Sequence, residues 1–191
     1  MRRVAALLTF AAAATATYYV DERFEGTQFP PAGWEESNVN GDWSRSNFGP
    51  PRNWAATGTI SYGSGGVYCS AALKTYLVYV VADTPLHYHY YFEYSSNHVD
   101  NNYAAFQIFY DGATTPFVND QVPSWPLWAE RSDSVVAPQT GYIYVRLYNY
   151  GRTNDPSGGG AKFDVDDVQL SDENITALAP VSFGRVKALF R

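Results

Sequence analysis

The chain has 191 residues, a formal net charge of −6 at pH 7 and an aromatic content of 17%. This length suits one ordinary domain, the apolar content excludes a disordered chain, and the acidic balance argues against a nucleic-acid partner. The single cysteine, Cys69, excludes an internal disulfide, and we expect its thiol to be buried and inert.

The N-terminus has the features of a secretory signal peptide. Arg2 and Arg3 precede an apolar run over 4–14, and Ala14-Thr15-Ala16 offers a small-x-small cleavage site. The run is too short to cross a bilayer, which takes about 20 residues. We therefore predict a signal peptide over 1–16, no transmembrane span, and a secreted, extracellular or cell-surface location.

Short strands are predicted along the rest of the first half of the chain. The first covers 18–24, and the stretch 29–66 has the glycine and proline content of loops, with short strands at 43–46 and 54–56. A β-rich run follows at 75–81 and ends at Asp83-Thr84-Pro85.

Alternating patterns then predict three strands, over 86–94, 103–110 and 141–150. In the first, Leu86 and every second residue to Tyr94 share one face, opposite His87, His89 and Glu93. A last strand covers 161–170. Without helical periodicity or a βαβ rhythm, the pattern predicts an all-β, antiparallel jelly-roll β-sandwich over 17–170, followed by a short accessory tail over 171–191.

Carboxylates near both ends of this domain form a candidate calcium site. The first and last strands of a jelly roll commonly lie side by side, which would bring together Glu25, Asp166 and Asp167, with Asp42 added from a loop. Calcium takes six to eight oxygen ligands and tolerates irregular geometry. The alternative is that these acids are solvated residues that protect a sheet edge.

Five motifs, in this order, resemble the secreted jelly-roll domains of the cleaved-adhesin, choice-of-anchor and MAM-like group. They are Phe24-Glu25, Phe29-Pro30-Pro31-Ala32-Gly33-Trp34, Trp43, Asp111-Gly112 and Asp166-Asp167-Val168. The resemblance implies a surface-displayed or secreted adhesive domain and strengthens the calcium hypothesis. Two departures are visible: 35–42 holds fewer carboxylates than the calcium loop of relatives, and the element after Asp111-Gly112 is reduced.

An enzymatic site is not expected. His87, His89 and Glu93 have the spacing of metal ligands in cupins, but the flanking glycine of that motif is missing, and a structural role on the wetter sheet face is favoured. No G-x-S-x-G, P-loop or metalloprotease motif occurs in the sequence. Paired carboxylates for glycoside hydrolysis stay open, since acidic β-sandwiches contain such pairs.

Four tryptophans in loop-like surroundings are candidate carbohydrate-binding residues: Trp43, Trp54, Trp125 and Trp128. Exposed aromatic rings stack on the apolar faces of sugars, and asparagines nearby could bind hydroxyl groups. The alternative role for each ring is to cap an end of the hydrophobic core.

The tail changes character after Leu170. A polar linker with the glycosylation sequon Asn174-Ile175-Thr176 precedes an apolar and basic segment over 180–191. Its apolar residues predict anchoring to a cell surface, or docking on another copy by strand addition and growth of a filament; they are Phe183, Val186, Leu189 and Phe190.

Together these features predict a non-catalytic extracellular structural or adhesive module. Its expected partners are copies of itself or a cell-surface anchor. The alternative is a carbohydrate-binding module that binds glycans through exposed Trp, Tyr and Asn side chains.

Overall fold

The structure, a computed structural model, describes residues 17–48, 53–62, 68–97, 102–123, 125–152 and 159–173. Within these ranges the chain forms twelve strands and no helix. The strands are β1 Tyr18–Glu22, β2 Glu35–Val39, β3 Gly41–Asn47, β4 Trp54–Tyr62, β5 Tyr68–Lys74, β6 Val78–Val80, β7 Pro85–Ser96, β8 Tyr103–Tyr110, β9 Val118–Val122, β10 Trp125–Val136, β11 Gly141–Arg152 and β12 Gly159–Ser171.

The strands form two antiparallel sheets that pack face to face. Sheet A has the order β10-β7-β12-β4-β3, and β1 pairs with the C-terminal part of β12. Sheet B has the order β2-β5-β11-β8-β9, and β6 pairs with the N-terminal part of β11. The predicted all-β jelly-roll sandwich is confirmed.

The core lies between the sheets and follows the alternation seen in the sequence. On β7, Leu86 and Tyr90 are fully buried and alternate with residues of the outer face. On β11, Ile143, Val145 and Leu147 point inward, where the rings of Tyr88, Phe106 and Tyr90 stack. The two-residue period therefore assigns both faces of these strands correctly.

The region 29–66 is more regular than predicted. It contains β2, β3 and the nine-residue β4, whereas only fragments of two strands were expected. Conversely, the run 75–81 contributes only the three residues of β6, because the strand before it, β5, ends at Lys74. Small side chains in β4 and β5 explain the difference: they pack in the core without the β-branched pattern that signals a strand.

The opening motif around Phe24 belongs to the core. Phe24 is buried and packs edge-on against Trp34, with ring centroids 5.6 Å apart. The guanidinium of Arg45 donates hydrogen bonds to the backbone oxygens of Phe24 (2.8 Å) and Glu25 (3.1 Å). The opening motif therefore fixes the scaffold.

The closing Asp166-Asp167-Val168 motif forms a β-bulge in β12. Before the bulge, β12 lies between β7 and β4; after it, β12 lies between β7 and β1. Asp167 has a φ of 48°, a left-handed conformation that Asp tolerates better than most residues, and its N–H donates to Asp166 Oδ1 at 2.7 Å. The motif thus lets one strand pair with two successive neighbours.

Gly58 is predicted to be sensitive to substitution. A Cβ atom there would lie 2.7 Å from Cζ2 of Trp43, a buried ring that packs edge-on against Phe163. Because the ring cannot move without disturbing the core, Gly58→Ala should lower the unfolding free energy by about 2 kcal/mol. Urea unfolding measures the loss, with Gly26→Ala as the control since a Cβ there meets nothing within 4 Å. Equal stability of the two variants would contradict the prediction.

Candidate functional site

The outer faces of the two sheets differ in chemistry. The outer face of sheet A is polar: Asp164 accepts hydrogen bonds from Thr57 (2.6 Å) and Lys162 (2.8 Å), and His89 Nδ1 lies 2.8 Å from Ser132 Oγ. Burial raises the pKa of the Asp164 carboxyl. The polar side chains of this face therefore bind one another.

The outer face of sheet B is aromatic. On β11 the side chains that alternate with the core residues Ile143, Val145 and Leu147 point outward, and all but two of them are tyrosines. We call the outer face of sheet B the tyrosine face; its rings are Tyr68, Tyr79, Tyr103, Tyr142, Tyr144, Tyr148, Tyr150 and Phe109.

The rings of the tyrosine face form two clusters and one further pair, Tyr79 and Tyr142, whose ring centroids are 5.3 Å apart. In one, Tyr150 lies next to Tyr103 and Tyr68, with centroids 5.2 and 6.2 Å apart, and Tyr148 lies 5.8 Å from Tyr103. In the other, Tyr144 stacks on Phe109 at 5.3 Å with an interplanar angle of 5°. Tyr79, Tyr142 and Tyr68 are 54%, 53% and 48% exposed, so apolar ring surface is available at both ends of the face.

A row of polar side chains crosses the sheet between these clusters. The strand register places its members opposite one another on five adjacent strands, in the order Glu35, Lys74, Arg146, Gln107 and Asn119. Lys74 Nζ lies 3.1 Å from Glu35 Oε2. The face therefore combines ring surfaces with a line of hydrogen-bonding groups.

Beside this row lies a shallow hollow of about 180 Å³. Its lining residues are Glu35, Glu36, Ser37, Ala72, Lys74, Tyr144 and Arg146. Ala72 keeps its side of the hollow open because its side chain is short. The hollow could hold roughly six water molecules, which suits a ring-sized group.

The phenols of Tyr103 and Tyr148 are neutral donors. Burial raises the pKa values of Tyr103 and Tyr148 above their ordinary value. For Tyr103 the neighbouring Tyr148 adds to the rise. A neutral hydroxyl donates one hydrogen bond and accepts others, as recognition of alcohol groups requires.

All four predicted tryptophans belong to strands of sheet A, whereas the tyrosine face lies on sheet B. Trp43 lies in β3 and is only 3% exposed, which corrects the expectation of an exposed loop residue. Trp54 is half-buried under the Arg45 guanidinium, 3.7 Å from its ring centroid, and Trp128 packs edge-on against Phe48 at 5.2 Å. Trp125 begins β10, but its side chain lies outside the described residues. Sugar binding by Trp54, Trp125 and Trp128 stays a prediction.

The candidate calcium ligands do not form one group. The predicted pairing of the first and last strands is confirmed, but next to Asp167 lies the Arg23 guanidinium, 3.6 Å away. Asp42 lies opposite Thr59 at the level of Lys162, about 13 Å along β12 from Asp166, which corrects its expected convergence.

Across the described ranges, no cluster of three or more His, Cys, Asp or Glu residues could hold a metal ion. Glu25 is exposed at the surface, and Asp166 is buried in its own bulge. These residues therefore do not fit a calcium ion as they stand, and calcium binding stays a prediction.

His87, His89 and Glu93 share the outer face of β7, as predicted, and His89 Nδ1 lies 3.5 Å from Glu130 Oε1.

Some predicted segments lie outside the described residues. They are the signal peptide over 1–16, Asn174 and the tail residues Phe183, Val186, Leu189 and Phe190. Cys69 is buried as predicted, and burial raises the pKa of its thiol. In the part of the chain that is described, no helix has the length and hydropathy of a membrane span.

Sequence reasoning missed the tyrosine face as a site, although its signal was present. The alternation over 141–150 placed Tyr142, Tyr144 and Tyr148 opposite three aliphatic residues. An outer strand face is normally polar, so repeated tyrosines there indicate a binding surface. The contributions of β5 and β8 could not be added without the strand register.

Solved structures with this fold include carbohydrate-binding and adhesin domains. The chain is similar to TmCBM61 in complex with β-1,4-galactotriose, with 17% identity, a TM-score of 0.50, and coverage of 78% of this chain and 93% of that one. It is similar to the K1 cleaved adhesin domain of Lys-gingipain from Porphyromonas gingivalis W83, with 17% identity, a TM-score of 0.52, and coverage of 82% and 98%. It is also similar to the CBM22-1 xylan-binding domain of Paenibacillus barcinonensis Xyn10C, with 11% identity, a TM-score of 0.50, and coverage of 83% and 96%.

No protein-family profile and no curated protein sequence matches the chain. At these identities, the likeness to solved structures establishes the β-sandwich fold. The cleaved adhesin domain among them agrees with the resemblance noted in the sequence at the level of the fold.

Proposed function

We propose that this protein is a non-catalytic, secreted carbohydrate-binding module that binds a glycan chain on its tyrosine face. The observation that carries the proposal is an aromatic outer face on sheet B. Tyr142 and Tyr150 are eight residues apart on β11, so the rings extend over about 26 Å. That length suits several consecutive sugar units.

The arrangement of the face supports a glycan better than a protein partner. Sugars present apolar ring faces and a rim of hydroxyl groups. The tyrosine rings offer stacking surfaces, and the polar row formed by Glu35, Lys74, Arg146, Gln107 and Asn119 offers both donors and acceptors between them. The ligands of two proteins with a similar fold, β-1,4-galactotriose for TmCBM61 and xylan for the CBM22-1 domain, are chains of this kind.

Binding of the purified protein to a panel of polysaccharides tests the proposal. Affinity electrophoresis and calorimetry should find at least one glycan that binds, and binding should change tyrosine fluorescence. Free monosaccharides should bind more weakly than chains, because they contact fewer rings. A panel without any binding polysaccharide would contradict the proposal.

An adhesive module that self-assembles through its tail is the second proposal. Its support is the sequence resemblance and the fold of the gingipain adhesin domain. Deleting residues 180–191 should abolish polymers or surface retention if the tail is an assembly or anchoring segment. Unchanged assembly and localisation of the truncated chain would refute it.

A further inference from the structure

Arg146 occupies the centre of the tyrosine face. It lies in the middle of the polar row, opposite Lys74 on β5 and Gln107 on β8. Its guanidinium Cζ is 4.4 Å from the Phe109 ring centroid and 4.5 Å from that of Tyr148. The cation therefore joins the two ring clusters, and a ligand that spans both must pass over it.

The orientation of the Arg146 guanidinium is fixed by neighbouring amides. Its Nε donates to Gln107 Oε1 at 2.8 Å, and Gln107 Nε2 donates to Asn119 Oδ1 at 2.8 Å. Because arginine can only donate, the amide oxygen of Gln107 must be the atom that faces Arg146. Among the described residues, no hydrogen bond engages the two terminal nitrogens of Arg146. A fixed guanidinium with a free edge matches the bidentate geometry of a carboxylate.

The charge of the tyrosine face is opposite to that of the whole chain. By the strand register, its outward side chains include three cations, Lys74, Arg146 and Arg152, and one carboxylate, Glu35, and a second carboxylate, Glu36, also lines the hollow beside Arg146. The complete chain has a net charge of −6. Glu35 lies 3.1 Å from Lys74 Nζ and pairs with that cation, whereas Arg146 forms no ion pair among the described residues.

We infer that the glycan bound by the tyrosine face is anionic, and that Arg146 binds a sugar carboxylate through the free edge of its guanidinium. The inference rests on the proposed function and specifies its ligand class. A uronic-acid chain supplies carboxylates at regular intervals and keeps the apolar ring faces needed for stacking. The hollow beside Arg146 is large enough for one such ring.

Matched polysaccharides test the inference. Polygalacturonate and its methyl ester have the same backbone and differ in charge, while galactan and sulfated galactan supply a neutral and a sulfated comparison. At low ionic strength the protein should bind polygalacturonate at least about tenfold more tightly than the methyl ester, because a charge-assisted pair replaces a neutral hydrogen bond. The preference should fall as salt rises and screens the charges.

Variants of Arg146 and Arg152 distinguish a specific contact of Arg146 with the carboxylate from a general electrostatic attraction between the face and an anionic glycan. Arg146→Gln should remove the preference for polygalacturonate over its methyl ester, because glutamine keeps a hydrogen-bond donor and loses the charge. Arg146→Lys should retain part of the preference that Arg146→Gln loses, since lysine keeps the positive charge but cannot make the bidentate contact of a guanidinium. Arg152→Gln removes an exposed cation from the same face and is the control, with an expected loss of less than about threefold. Near-ultraviolet circular dichroism verifies the fold of each variant.

The outcomes distinguish this inference from the proposed function. Equal binding of polygalacturonate, its methyl ester and galactan, with equal losses in Arg146→Gln, would overturn the inference and leave glycan binding intact. Binding of sulfated galactan alone would overturn the carboxylate assignment in favour of sulfate. Absence of binding to every glycan would overturn both.

Discussion

Replacing Tyr148 and Tyr150 together by alanine is expected to lower the affinity for a bound glycan by about two orders of magnitude. Each ring should contribute about 1.5 kcal/mol by stacking on a sugar, and tenfold in affinity corresponds to about 1.4 kcal/mol. Both side chains are half-buried on the outer face of sheet B, where Tyr150 contacts Tyr103 at 5.2 Å. The core on the opposite face of β11 is unchanged, so the variant should stay folded.

A matched control exists on the opposite sheet. Tyr91 is a half-buried tyrosine on the outer face of sheet A, and its hydroxyl donates to Glu130 at 3.3 Å. Tyr91→Ala should leave glycan affinity within about twofold, because the described residues of that face form ring pairs such as His89–Tyr91 and not an extended set of rings. Calorimetry with the tightest-binding polysaccharide measures both variants. The tyrosine face would lose its assigned role if Tyr91→Ala were the more damaging change.

The comparison of tryptophans with tyrosines shows what a sequence can and cannot predict about such a site. The tryptophans in loop-like surroundings were predicted to bind sugars, yet Trp43 is a core residue that packs on Phe163. The tyrosines of β11 were visible as one face of one strand. Their partners Tyr103 and Tyr68 lie 47 and 82 positions from Tyr150, and only the pairing of β8 and β5 with β11 brings them together.

Strand prediction succeeded where side chains alternate and failed where they are small or polar. The 103–110 prediction matches β8, and the inward set of β7 from Leu86 to Tyr94 is correct. In contrast, β10 contains the polar stretch Glu130-Arg131-Ser132-Asp133-Ser134, which gives no alternation of apolar residues. Among the described strands, β10 is at the edge of sheet A and pairs with β7, so it needs few buried side chains.

Substituting Asn149 by aspartate should destabilise the fold more than any surface change considered above. Asn149 belongs to β11 of sheet B and is fully buried, and its Nδ2 donates to the backbone oxygens of Gly58 (2.9 Å) and Ala161 (3.2 Å) in sheet A. This amide connects the two sheets through the core. Asn149→Asp keeps the shape but replaces both donor hydrogens with an acceptor that faces two carbonyl oxygens.

The expected loss is about 4 kcal/mol of unfolding free energy at pH 7, the cost of an unpaired buried charge. The sign of the pH dependence follows from the same burial. The new carboxyl group would have a higher pKa in the folded state than in the unfolded state, because water is absent and the neighbouring oxygens repel a charge. The variant should therefore be most stable below the unfolded-state pKa and lose stability as pH rises through the folded-state pKa.

Urea unfolding of Asn149→Asp and Asn149→Leu between acidic and neutral pH tests this prediction. Asn149→Leu removes the same donors without adding a charge, so it should cost about 2 kcal/mol, and the difference between it and wild type should not depend on pH. The gap in unfolding free energy between Asn149→Asp and Asn149→Leu then gives the cost of the buried charge. If that gap were absent at neutral pH, the amide of Asn149 would not be the polar connection that holds the tyrosine-bearing sheet to its partner.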